Sequence, residues 1–158
     1  MVSYKAAIEL ISNIETNFYE EQINIFHDKR YIIFKNKSEE DLFNSEIADK
    51  LFEDVWLENN YDQIYSQSIA NKIFEISCSL SPVIAKNIVK EVIKKLNNQN
   101  IIKKDIILQI NELCNRGLEK NIVFLLRALQ KKYYIQIIRK RPEESRYLAL
   151  FLSKTYLS

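Results

Sequence analysis

The sequence predicts an all-α domain, and three observations carry that prediction. Apolar residues recur at three- and four-residue spacings through most of the 158 positions, which is the period of an amphipathic helix rather than of a strand. A single glycine in the whole chain leaves almost no place for the left-handed backbone that tight β-turns and phosphate-cradling loops need. The punctuation that does occur belongs to helices. Ser81-Pro82 reads as an N-cap serine followed by proline at the first helical position, and Gly117 as a left-handed helix end. The length suits one domain, 1–158, and a chain of this size buries roughly 70% of its unfolded surface without disulfide or metal support.

From the N-terminus, residues 4–27 place Ile8, Ile11, Ile14 and Phe18 on one helical face. Ser38 followed by Asp41 resembles an N-cap with an acidic first turn, opening a helix over 39–58. Asp62 is positioned to cap the next, which runs through Cys78 with Ile69, Ile73 and Ile76 on one side. The helix begun by Ser81-Pro82 continues to Leu96 and stops at the run Asn97-Asn98-Gln99-Asn100. Residues 101–115 form a further helix ended by Gly117, and a long one runs over 118–140. Pro142 restarts the chain into a last helix that buries Leu148, Leu150, Phe151 and Leu152. The stretch 23–34 has two readings: a hairpin turning at His27–Lys29, or a helix end and a short second helix. Helix is preferred, because an isolated two-stranded hairpin is marginal. Helices of this length with short connections pack as antiparallel pairs, in a bundle or a short α-solenoid.

The chemistry available is narrow. Nucleophile–His–acid catalysis has only His27 to draw on, within a charged His-Asp-Lys-Arg tetrapeptide. His27-Asp28 matches the doublet of helical phosphohydrolases, whose metal sites need further histidines that this chain lacks. No Arg lies a few residues before His27, as small all-helical ribonucleases require, and the Cys-x-x-Cys and His-Glu-x-x-His zinc patterns are absent. Glu46-x-x-Asp49 supplies half of the magnesium motif of helical nucleotide pyrophosphatases, but no Glu-x-x-Glu lies upstream to complete it. The expectation is a protein that is not an enzyme and holds no metal or cofactor.

Charge is the uncommon feature. Residues 1–79 hold fifteen acids and seven bases, net −8, and residues 80–158 hold sixteen bases and six acids, net +10. The overall +2 conceals a dipolar chain. Nine carboxylates lie between Glu39 and Asp62, where the only opposing base is Lys50. On a helix Glu46, Asp49 and Glu53 share one stripe, with Trp56 at its edge and Tyr61 and Tyr65 following. A carboxylate ridge rimmed by aromatics suits the docking of a basic protein; the alternative is a solvated helix face with Trp56 in the core. At the other pole Lys120, Arg127, Lys131 and Tyr134 line one face of the 118–140 helix, extended by Arg139 and Arg141. Arginines beside tyrosines clamp phosphates and stack bases, which makes RNA binding the second reading; an ordinary solvated face is the alternative.

In its compact single domain, its helices such as Ser45–Leu57 and Pro82–Leu96, and its lack of a catalytic set, the chain resembles the small all-helical immunity proteins of bacterial contact-dependent toxin systems. The likeness is one of architecture and rests on no single motif. It implies a protein that binds and neutralises a basic partner, a cognate nuclease toxin, by covering its active site or substrate surface. The N-terminus carries a carboxylate and no apolar run, no segment approaches a membrane span, and Cys78 and Cys114 lie among apolar helical positions as free thiols. These point to the cytoplasm.

Overall fold

The computed structural model describes residues 1–16, 45–97, 105–147, 152, 155 and 156, with backbone alone at 12–16, 45–49, 144, 146 and 147. Among them are six α-helices: α1 (Tyr4–Thr16), α2 (Ser45–Glu58), α3 (Gln67–Ser79), α4 (Pro82–Asn97), α5 (Ile106–Asn115) and α6 (Glu119–Lys140). Two 3-10 turns, Tyr61–Gln63 and Pro142–Tyr147, complete the order, and no strand occurs among the described residues. The fold class is all-α. The choice between hairpin and helix at 23–34, the Ser38 cap, Phe18, and the burial of Leu148, Leu150 and Phe151 lie outside the described residues.

The helix signals act through identifiable bonds. Ser81 Oγ accepts from the Ile84 amide at 3.1 Å, so Pro82 sits at the first helical position, where its missing N–H costs nothing. Gly117 has φ 77°, its N–H donates to the Cys114 carbonyl, and the Leu118 N–H donates to that of Leu113. That bond pair is a Schellman end, and it needs the left-handed residue that glycine supplies.

Two expected helix starts move. Asp62 falls inside the first 3-10 turn, and the side chain of Ser66 caps α3 instead, accepting from the Ile69 amide. Asp105 caps α5 through Oδ1, which accepts from Ile107 and Leu108, so that helix begins at 106 rather than 101. The chain after Arg141 forms a 3-10 turn up to Tyr147 rather than starting the expected last helix at once; Leu152, Thr155 and Tyr156 are α-helical, and Leu152 is half-buried. Arg141 stands before proline and is extended, with φ −135° and ψ 80°. The proline ring disfavours helical backbone at that position.

α3 is central. It packs against α1, α2, α4 and α6, and ten of its residues are buried. A helix surrounded on all sides cannot keep a polar face in water. Its apolar residues Ile69, Ala70, Ile73, Phe74 and Ile76 join a core drawn from every described α-helix, from Val2 to Tyr134. This is bundle packing. Around Phe74 lies an aromatic cluster: Trp56 meets it edge-on at 5.3 Å between centroids and 87°, with Tyr4, Phe52 and Tyr61 completing the ring of contacts.

Candidate functional site

The connection between α2 and α3 turns sharply and shapes the surface beside it. Asn59 Nδ2 donates to the Val55 carbonyl at the end of α2, and Asn60 adopts φ 55°, a left-handed conformation that asparagine tolerates better than most residues. The chain then drops Tyr61 and Ile64 into the core, 5% and 1% exposed, and leaves Tyr65 outside at 66%. Tyr61 Oη and Ser77 Oγ share a buried hydrogen bond, and burial raises the phenol pKa to about 12. Asn111 of α5, 4% exposed, holds the connection from the far side. Its Nδ2 donates to the Gln63 carbonyl and its Oδ1 accepts from the Tyr65 amide, both at 2.8 Å.

Two adjoining clefts flank the start of α5. The first, of about 740 Å³, is lined by Asp62, Ile64, Tyr65, Asp105, Ile107 and Leu108 among others. The second, of about 620 Å³, lies between the end of α2 and the outer side of α4, with Glu58, Asn60, Lys86, Lys90 and Asp105 over a floor that includes Tyr61, Ile73 and Val89. Asp105 and Ile107 belong to both, so the two form one groove. The first half carries the carboxylates of Asp62 and Asp105 and no Lys or Arg, with Met1 and its amino group also on its wall. It also presents the exposed apolar surface of Tyr65 and Leu108, the latter 57% exposed. Apolar anchors within an acidic rim are the chemistry of a docking site for a basic chain.

The residues read from the sequence divide between surface and core. Glu53 is exposed on α2 and Tyr65 lines the groove. Glu46 and Asp49 lie on the first turns of α2, with side chains outside the described residues. Trp56, expected at the rim, is 1% exposed in the aromatic cluster, and Tyr61 is buried beside it with centroids 5.9 Å apart. Neither presents a surface to a partner. The inward stripe of α2 is Phe52, Val55 and Trp56, which α1, α3 and the first 3-10 turn enclose together.

On α6, Lys120 and Arg139 are exposed, as is Arg141 just past its end, whereas Arg127 and Lys131 are half-buried. Tyr134 is wholly buried and cannot stack a base. Thr155 and Tyr156 lie against that flank. Lys131 Nζ reaches Tyr156 Oη at 3.4 Å and stands 6.0 Å from its ring centre, and the Thr155 carbonyl accepts from Lys72.

The groove residues Asp105, Leu108 and Asn111 were not anticipated. Leu108 had a signal, since it falls opposite Ile110 and Leu113 on a helix and cannot enter the core with them. A buried polar network on α3 and α6 was also missed. Lys72 Nζ donates to Glu75 Oε2 at 3.3 Å, Gln130 Nε2 donates to the same oxygen at 2.7 Å, and Ser79 Oγ donates to Glu75 Oε1 at 2.6 Å. Gln130 Nε2 also donates to Tyr134 Oη at 3.0 Å. Burial draws the Lys72 ammonium below its ordinary pKa against the opposing pull of Glu75, and burial likewise lifts the Tyr134 phenol well above its own.

Among the described residues no group of three His, Cys, Asp or Glu side chains could hold a metal ion, and no helix is long and apolar enough to cross a membrane. Comparison of the chain with protein families, curated proteins and solved structures gives no match in any of the three.

Proposed function

We propose that the chain is a protein-interaction module that binds and neutralises a basic protein partner, in the manner of an immunity protein set against a nuclease toxin. The observation that carries the reading is the pairing of exposed Tyr65 and Leu108 with Asp62 and Asp105 in one groove. A central aromatic anchor of this kind contributes about 2 kcal/mol or more once desolvated, and the carboxylates speed encounter with a cationic surface. The exposed Glu53 on α2 extends the acidic field beyond the groove. The partner's active site or substrate surface would be covered, so the action is steric and needs no catalytic group. The free thiols of Cys78 and Cys114 suit a reducing cytoplasm.

A second reading, RNA binding, is favoured by the exposed Lys120, Arg139 and Arg141 at the two ends of α6. One experiment separates the two: co-purification of the tagged chain from its source cells with and without nuclease treatment, with wild type, Y65A/L108A and R139E/R141E compared. The interaction reading expects one basic protein in stoichiometric yield, resistant to nuclease, lost with Y65A/L108A and kept with R139E/R141E. Nucleic acid in the eluate, lost with R139E/R141E alone, supports the second reading. Yields indifferent to both pairs overturn both.

A further inference from the structure

The groove changes electrostatic character along its length. Both hydrogen bonds that Asp105 makes within α5 fall on Oδ1, from the amides of Ile107 and Leu108. The carboxylate is thus held in place by the helix it caps, with Oδ2 left for a donor from outside. Asp62 shares that half of the groove, beside the apolar surface of Tyr65 and Leu108. In the other half, Lys86 and Lys90 stand one turn apart on α4, both exposed and neither in an ion pair with a described residue. Once Asp105 is engaged by a cation, that half keeps two ammonium groups against the single carboxylate of Glu58. It then complements an acid.

We infer that the groove receives one linear segment of the partner protein, which places a Lys or Arg against Asp62 and Asp105, an apolar side chain on Tyr65 and Leu108, and a carboxylate over Lys86 and Lys90. The inference rests on the interaction reading above and assigns it an orientation. Each half has the volume to hold a few side chains. A segment of one sign matches only one half, so the alternation gives specificity as well as attraction.

The test is selection from a phage-displayed library of random peptides on the immobilised full-length chain, repeated on D62N/D105N and K86Q/K90Q. Asn caps a helix as well as Asp does, so D105N removes the charge and keeps α5. The expected wild-type selectants pair a basic and a neighbouring apolar residue with a carboxylate further along. D62N/D105N weakens them about tenfold or more and K86Q/K90Q several-fold, on the scale of lost charge pairs. Selectants without a carboxylate, or indifferent to K86Q/K90Q, overturn the two-ended segment and leave the acidic docking reading standing. Selectants indifferent to D62N/D105N as well overturn both. A library that yields no selectant overturns the linear segment, and the co-purification experiment then decides the reading beneath it.

Discussion

Tyr61 and Tyr65 stand four residues apart on one connection and end in opposite environments, one bonded to Ser77 in the core and one open to solvent. Helical periodicity has no purchase on them, because a left-handed Asn60, a 3-10 turn and an extended Ile64 intervene. Their fates depend on what lies beneath: Phe74 and Trp56 under Tyr61, and Asn111 behind the Tyr65 backbone. The buried phenol has a pH consequence. Its pKa is raised from 10.0 to about 12 on folding, so the stability it contributes is complete below pH 10 and is lost as pH climbs through that interval. The loss is on the order of 2–3 kcal/mol. Denaturant titrations across this range should show wild-type stability falling from pH 10 upward, and Y61F falling less steeply. Asn111 offers a second check. N111L leaves the Gln63 carbonyl and the Tyr65 amide without their partner, so it should cost about 1–3 kcal/mol and speed hydrogen exchange at the Tyr65 amide. Unchanged exchange would mean that the clamp does not hold the groove wall.

At the level of elements, α3 departs most from an ordinary amphipathic helix. Its buried residues spread around the circumference, polar side included, and its two charges, Lys72 and Glu75, lie one turn apart and meet inside the bundle. The sequence showed the apolar side, Ile69, Ile73 and Ile76, but not that the polar side would be buried as well. The partners of the two charges had no local signal, since Gln130, Tyr134 and the Thr155 carbonyl arrive from more than fifty residues away. A buried pair of this kind is costly to break and need not be stabilising as a whole. K72M alone should lose about 3–5 kcal/mol by stranding the Glu75 carboxylate. K72M/E75Q should recover most of that loss, because the amide introduced at position 75 carries no charge and keeps an acceptor oxygen for Ser79 or Gln130. Urea unfolding of the two variants measures the difference. On α2 and α6 the periodicity identified helices correctly and misplaced the edges of their buried arcs. Trp56 and Tyr134 each lie at such an edge, and a third element closes over each of them.

Over the whole molecule, the charge division between the two halves of the sequence becomes a surface property only in part. Lys72, Glu75 and much of Arg127 and Lys131 are withdrawn from it. What remains outside includes Glu53 on α2, Glu58 and Asp105 in the groove, and Lys120, Arg139 and Arg141 at the ends of α6. Attraction between exposed charges is screened over about 10 Å at 0.1 M salt. Raising salt from about 0.05 to 0.5 M should therefore slow association with a basic protein partner about tenfold while dissociation changes little. Stopped-flow mixing measures both rates. Binding to RNA would instead show an equilibrium affinity that falls steeply and log-linearly with salt. Composition and periodicity were sufficient for the all-α class, the helices from α3 to α6 and the Pro82 and Gly117 boundaries, because each depends on bonds made within a few residues. Which aromatics face inward, where Lys72 finds its partners and which side chains converge on the groove depend on contacts between segments distant in sequence. Those were decided when the helices packed and competed to fill the same interior.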